Sequence, residues 1–215
     1  MATSGTTSFN ITIDEVIEEA YERCGLRTNS GHDIKSARRS LNLLFSEWGN
    51  RGINLWKVKS ETTTLINGQV TYNTPSDCND VLEAVVTTTG GNQQTLTKVS
   101  RSEYIAIPDK TIAGTPSQYY VNRQINPTIS LYLAPATSAV SNIFYYYLAR
   151  IEDVGAYTNT SDMPFRFFPC MVSGLAFYLS QKIAPDRIQA LKLLYEDELK
   201  TSVYITPNVY YPQGS

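Results

Sequence analysis

Apolar residues recur along this chain with two different periods, and the change of period divides it. Near the start they fall at Ile13, Val16, Ile17, Ala20, Tyr21 and Cys24, one stripe of a 3.6-residue helix. Thr12 and Glu15 stand at capping-box spacing, so the Thr12 hydroxyl is expected to accept from the Glu15 amide while the Glu15 carboxylate reaches back. Ile11 and Val16 occupy staple positions, and Gly25 suits a left-handed stop. A second stripe of Ile34, Ala37, Leu41, Leu44, Phe45 and Trp48 predicts a helix over 33–50, ended by Gly52. The short connection makes these two helices antiparallel neighbours.

Past Trp56 the period drops to two. Strands are expected over 57–65, 69–73, 81–88, 94–99, 118–122, 128–133 and 142–149. In 128–133 the alternation puts Ile129, Leu131 and Leu133 on one face, with Ser130 and Tyr132 on the other. Asn67 with Gly68, and Gly90 with Gly91 and Asn92, read as hairpin turns. Ser100 and Glu103 form a second capping box, so a short helix over 101–107 interrupts the strands before Pro108.

Helical periodicity then returns. The expected cap is Ser161 or Asp162, with Pro164 in the first turn. Pro169 must fall early or mark the true start, because deeper in a helix it lacks a donor and clashes one turn back. The body over 171–183 is almost uncharged, which predicts burial on most sides. Pro185 opens a fourth long helix with Ile188, Leu191, Tyr195 and Leu199 inward.

Together these elements predict an α+β fold. Two helical hairpins from the chain ends, 11–55 and 161–202, pack as a helical bundle, and a mainly antiparallel β domain, 56–160, is inserted between them. Residues 1–10 are Ser/Thr-rich and uncharged and read as a flexible arm. The stretch 203–215 has no charged side chain and carries Tyr204, Ile205, Val209, Tyr210 and Tyr211 between prolines. It reads as an extended docking arm that orders on assembly, so truncation before Thr206 should spare folding and weaken assembly.

Composition changes this picture in three places. The 15 tyrosines outnumber 7 Phe and 2 Trp, which fits either surfaces buried on assembly or a Tyr-rich sheet core. The net charge of −2 makes the chain as a whole no magnet for nucleic acid. Cys24, Cys78 and Cys170 are scattered, without a CxxC pair, and read as reduced, buried thiols. The N-terminal residues show no basic region followed by an apolar run, so no signal peptide is read there, and no stretch has the length of a membrane span.

Chemistry-bearing patterns are sparse. His32, the one histidine, is placed in the loop before the second helix, with no Gly-x-Ser-x-Gly elbow to receive it. No phosphate-cradling Gly-rich loop occurs. Asp14, Glu15, Glu18, Glu19 and Glu22 read as a solvated helix face rather than a metal site. The same holds for Asp77, Asp80 and Glu83, and for Glu196, Asp197 and Glu198. No catalytic residue, metal site or cofactor is expected. The candidate interaction residues are Tyr204, Ile205, Tyr210 and Tyr211 in the tail, and Lys35, Arg38 and Arg39, with Arg51 nearby, on the second helix. Those cations can touch phosphate, face a portal through salt bridges, or form an ordinary charged helix surface.

One arrangement ties these pieces together. Helix pairs flank a region holding Pro116 and Tyr119, then an alternating strand running from Leu131 to Pro135, then one more strand. Trp48, the run Gly52, Ile53, Asn54, Leu55 and Trp56, Pro164, and Gly174 with Leu175 and Ala176 complete the set. Over roughly residues 10 to 203 the chain resembles the head-to-tail adaptor proteins of short-tailed bacteriophages, the tail-tubular A type. The resemblance implies a non-enzymatic virion protein at the head–tail junction, made in the host cytoplasm. It implies a homo-oligomeric ring, a dodecamer, that joins the portal protein to the tail nozzle protein. Double-stranded DNA would pass through its channel without sequence-specific binding. An aromatic β region also leaves a carbohydrate- or cell-surface-binding module open as an alternative.

Overall fold

The structure, a computed structural model, describes residues 5, 9–28, 30–53, 55–156 and 158–204. The helices are α1 (Ile13–Arg23), α2 (Gly31–Asn50), α3 (Arg101–Ala106), α4 (Phe168–Ile183) and α5 (Ile188–Tyr204). The strands are β1 (Val58–Thr64), β2 (Thr71–Asn73), β3 (Cys78–Thr88), β4 (Gln93–Thr95), β5 (Thr97–Lys98), β6 (Ala113–Gly114), β7 (Gln118–Asn122), β8 (Thr128–Tyr132), β9 (Ala134–Pro135) and β10 (Val140–Ala149). The fold is α+β with mostly antiparallel sheets. It divides into a helical unit, Met1–Trp56 with Ile151–Ser215, and a β unit, Lys57–Arg150.

In the helical unit, α4 packs against α1, α2 and α5. Its middle has no polar face to offer: Cys170, Met171, Val172, Ser173, Leu175 and Ala176 are all buried. A helix apolar all round has to be enclosed by neighbours. Gly174 sets how close they come. A Cβ there would lie 2.8 Å from Leu44 Cδ2 on α2 and 2.9 Å from Tyr195 Cε2 on α5. Beside it, the buried Trp48 Nε1–H donates to Tyr195 Oη at 2.9 Å. That bond satisfies two polar atoms that would otherwise be stranded in a dry core.

Local signals explain most helix ends. The Glu15 carboxylate accepts from the Thr12 amide at 2.8 Å and also from the Thr12 hydroxyl at 2.8 Å. The end of α1 is a double reversal: Gly25 N–H donates to Glu22 O and Leu26 N–H to Tyr21 O, with Gly25 at φ +76°. Two differences concern starts. Ser30 caps α2 and accepts from the Asp33 amide at 3.3 Å, so His32 lies in the first helical turn rather than in a loop. The cap expected at Ser161 or Asp162 is not used. A 3₁₀ turn at Phe165–Phe167 follows Pro164, and α4 begins at Phe168 with Pro169 in its first turn, where a missing N–H costs nothing.

The β unit holds two four-stranded sheets, ordered β1-β10-β3-β4 and β2-β8-β7-β5, and the short pair β6-β9. All pairings are antiparallel except β5 with β7 and β6 with β9. Alternate residues of both large sheets meet in one core, including Val81, Val86, Tyr119, Ile129, Leu131 and Tyr145. The turn at Gly90 and Gly91 joins a true hairpin, with Val86 opposite Gln94. The turn at Asn67 and Gly68 does not. There the chain leaves β1, whose partner is β10, and enters β2, whose partner is β8. The second capping box holds: Ser100 Oγ accepts from the Glu103 amide at 3.3 Å, and the Ser100 amide donates to Glu103 at 2.6 Å. The stretch expected as one strand over 94–99 splits at Leu96 into β4 and β5, which belong to different sheets. Leu133 leaves the alternation of β8, because the strand ends at Tyr132.

Candidate functional site

The features that point to partners lie on the outer faces of α1 and α2. On α2 the buried stripe runs through Ala37, Leu41, Leu44, Phe45 and Trp48. Lys35 and Arg39 therefore project outward and are exposed, and Arg38 is half-buried at the margin. His32, Lys35, Arg38, Arg39 and Asn42 line a shallow basin of about 410 Å³. Asn42 is engaged at its wall, where its Oδ1 accepts from the Val154 amide at 2.9 Å. Among the described residues the side chains of Lys35, Arg38 and Arg39 make no ion pair or hydrogen bond. The sequence thus grouped these three correctly as cations off the core stripe. Arg51 does not join them: it pairs with Glu47, which also accepts from the Tyr178 hydroxyl at 2.9 Å. Burial and that carboxylate push the Tyr178 hydroxyl up to about 12.

The acidic face of α1 is partly used. Glu15 is committed to the cap, and the bonds from Thr12 hold its carboxyl below the usual range. Glu19 pairs with Arg23 at 3.1 Å. Glu18 and Glu22 are exposed, and their side chains have no partner among the described residues. Glu198 on α5 meets Arg23 at 3.5 Å, so α5 is tied to α1 by charge at its edge.

In the β unit the carboxylates near Cys78 serve the sheet. Asp80 takes Lys98 Nζ at 2.9 Å and Arg123 Nη2 at 2.8 Å. Burial raises the Asp80 carboxyl, but the two cations outweigh it and hold it below its ordinary value. Asp77 pairs with Lys59 at 2.9 Å. Among the described residues no group of three or more His, Cys, Asp or Glu side chains is placed to hold a metal ion. No helix of the described residues is long and apolar enough to cross a membrane.

The tyrosine question divides toward the core. Tyr21, Tyr72, Tyr119, Tyr145, Tyr147 and Tyr195 are buried, while Tyr146 is 46 % exposed. Burial pushes the Tyr119 hydroxyl up to about 12, and it donates to Leu82 O at 3.0 Å. The three cysteines are free and buried, and burial pushes the Cys170 thiol up to about 12.

Of the tail residues named from sequence, Tyr204 closes α5, which takes in the first two residues expected to form the arm. Ile205, Tyr210 and Tyr211 lie outside the described residues. At the other end, Phe9 packs against Phe165 with tilted rings whose centres are 5.4 Å apart, so the helical unit reaches into the expected N-terminal arm.

The model of the SU10 adaptor protein family matches residues 12–207. The chain belongs to that family. The match starts at the Thr12 cap and spans both units. The adaptor is thus a phage head–tail adaptor, a structural protein and a virion component. No curated protein matches the chain.

Proposed function

We propose that the adaptor forms a closed ring, a dodecamer, which joins the portal at the capsid vertex to the tail nozzle and leaves a channel for double-stranded DNA. The family match over 12–207 carries this reading. A ring of identical subunits needs two different complementary patches on each subunit, a heterologous contact that closes when its rotation returns to the first subunit. The helical unit offers opposite charges on α1 and α2, and among the described residues the side chains of Glu18, Glu22, Lys35 and Arg39 are exposed and unpaired. We assign the ring body to the helical hairpins, packed as a bundle. The tail beyond Tyr204 would act as the docking arm.

A net charge of −2 gives the chain as a whole no pull on duplex DNA, which favours passage without sticking, since each phosphate contact adds affinity. The test is co-sedimentation of the full chain with the portal protein encoded near it. The reading predicts one new layer of fixed stoichiometry on each portal ring. A portal that sediments alone at every salt concentration would overturn it. Truncation at Thr206 should leave folding intact and lower the yield of that layer; unchanged yield would remove the arm's role.

A further inference from the structure

The unpaired charges of α1 and α2 have a matched spacing that the helical unit itself leaves unused. Lys35 and Arg39 sit one turn apart on the exposed side of α2, and Leu43, one turn further, is 58 % exposed. Glu18 and Glu22 sit one turn apart on the exposed side of α1, and Leu26, four residues on and past the Gly25 reversal, is 41 % exposed. Both runs therefore read charge, charge, leucine at steps of four, with opposite signs. Like charges one turn apart on a helix repel, so each face carries a cost that a complementary face relieves. Among the described residues none of the side chains of Glu18, Glu22, Lys35, Arg38 and Arg39 is paired within the chain.

We propose that these faces meet between neighbouring copies: Lys35, Arg38 and Arg39 on α2 of one subunit pair with Glu18 and Glu22 on α1 of the next, and Leu43 and Leu26 form the apolar end of the contact. The equal spacing lets both ion pairs form at once. Arg38, already half-buried, loses little freedom on pairing, and its planar fork suits a carboxylate. The exposed leucines supply the desolvated patch that an interface core requires. A second copy accounts for more of the surface than duplex DNA does. A phosphate backbone would use the three cations alone and leave Glu18, Glu22 and both leucines without a role. Because the two patches differ, the contact is heterologous and builds a ring or a filament. The inference deepens the ring reading and rests on it only for closure.

The test is charge exchange in the full-length chain, followed by sedimentation velocity at low and high salt. Lys35→Glu with Arg39→Glu, or Glu18→Lys with Glu22→Lys, should each weaken self-association by roughly tenfold or more. An equimolar mixture of the two variants should restore association by strict alternation, because both like-charged faces of one variant are complementary to both faces of the other, while each variant alone stays weak. All four reversals in one chain should restore full association. That restoration also excludes misfolding as the cause of the single losses. High salt should weaken the wild type and the fourfold variant alike.

The contact is overturned if the fourfold variant stays as weak as its parents, or if single reversals change nothing. It is also overturned if the wild type stays monomeric at all concentrations and Glu22→Cys mixed with Arg39→Cys gives no disulfide-linked dimer. Loss of binding to a random-sequence duplex oligonucleotide in Lys35→Glu with Arg39→Glu, with association untouched, would overturn it in favour of DNA. Rings on the portal that survive the single reversals would sink the contact and leave the ring reading standing. Exchange-dependent association without rings would do the opposite.

Discussion

Trp48 and Tyr195, bonded at the centre of the helical unit, are 147 positions apart, and Cys24 Sγ meets Ala176 O across 152. In the β unit the buried contacts come from one continuous segment, and Asp80 finds Lys98 only 18 residues away. The helical core can close only when the chain is nearly complete, whereas the β core draws on a single stretch. The means of holding together differ too. The helical unit relies on a central helix whose one charge, Lys182, lies in its last turn, with a glycine at its closest approach. The β unit relies on alternation along its strands and on ion pairs at their margins.

The buried thiols make this contrast measurable. Cys24 and Cys170 report on the helical unit and Cys78 on the β unit, so the order in which they become alkylated under urea separates the two. The largest effect is expected from Trp48→Ala. It empties a fully buried site and strands the Tyr195 hydroxyl, at a cost of about 3–5 kcal/mol. Cys24 and Cys170 should label at lower urea, with Cys78 unmoved. Equal shifts for all three thiols would show that the units unfold as one. Gly174→Ala should follow, costing about 1–3 kcal/mol, because the new methyl meets Leu44 and Tyr195 below 3 Å. An unshifted Cys170 midpoint would mean that α2 and α5 yield without cost.

Tyr119→Phe probes the other unit. It leaves Leu82 O without its 3.0 Å donor and should cost about 1 kcal/mol, read at Cys78 alone. The smallest effect is acid sensitivity. The folded Asp80 carboxyl titrates below its ordinary value of about 3.9. Its contribution is therefore present above about pH 4 and lost as pH falls through the folded pKa. Asp80→Asn should flatten the fall of the urea midpoint below about pH 4, followed by near-ultraviolet circular dichroism because thiols do not alkylate in acid. An undiminished acid slope in that variant would assign it to other carboxylates.

Local signals were legible in the sequence because their causes are local. Both capping boxes, the stripes of α1 and α2, the early position of Pro169 and the Gly90 hairpin all follow from residues within a turn of each other. Sheet membership was not, because it depends on distant partners. Asn67 and Gly68 make a good turn, yet β1 is taken by β10, which lies some eighty residues further on. The start of α4 was missed because Ser161 and Asp162 have the chemistry of a cap, while Pro164 imposes a 3₁₀ turn between them and the helix. For the candidate surface, the sequence placed Lys35, Arg38 and Arg39 off the core. It did not show that Arg51 is spoken for by Glu47, nor that Glu18 and Glu22 stay unpaired among the described residues. Side-chain pairing of that kind depends on which turn faces which, and only the fold decides it.

The most direct measurement is electron microscopy of the full-length adaptor, alone and mixed with the portal protein encoded near it. The account predicts a closed ring of adaptor density stacked coaxially on the portal, with α1 of each subunit against α2 of its neighbour. Portal particles unchanged under all salt conditions, with the adaptor remaining separate, would contradict it.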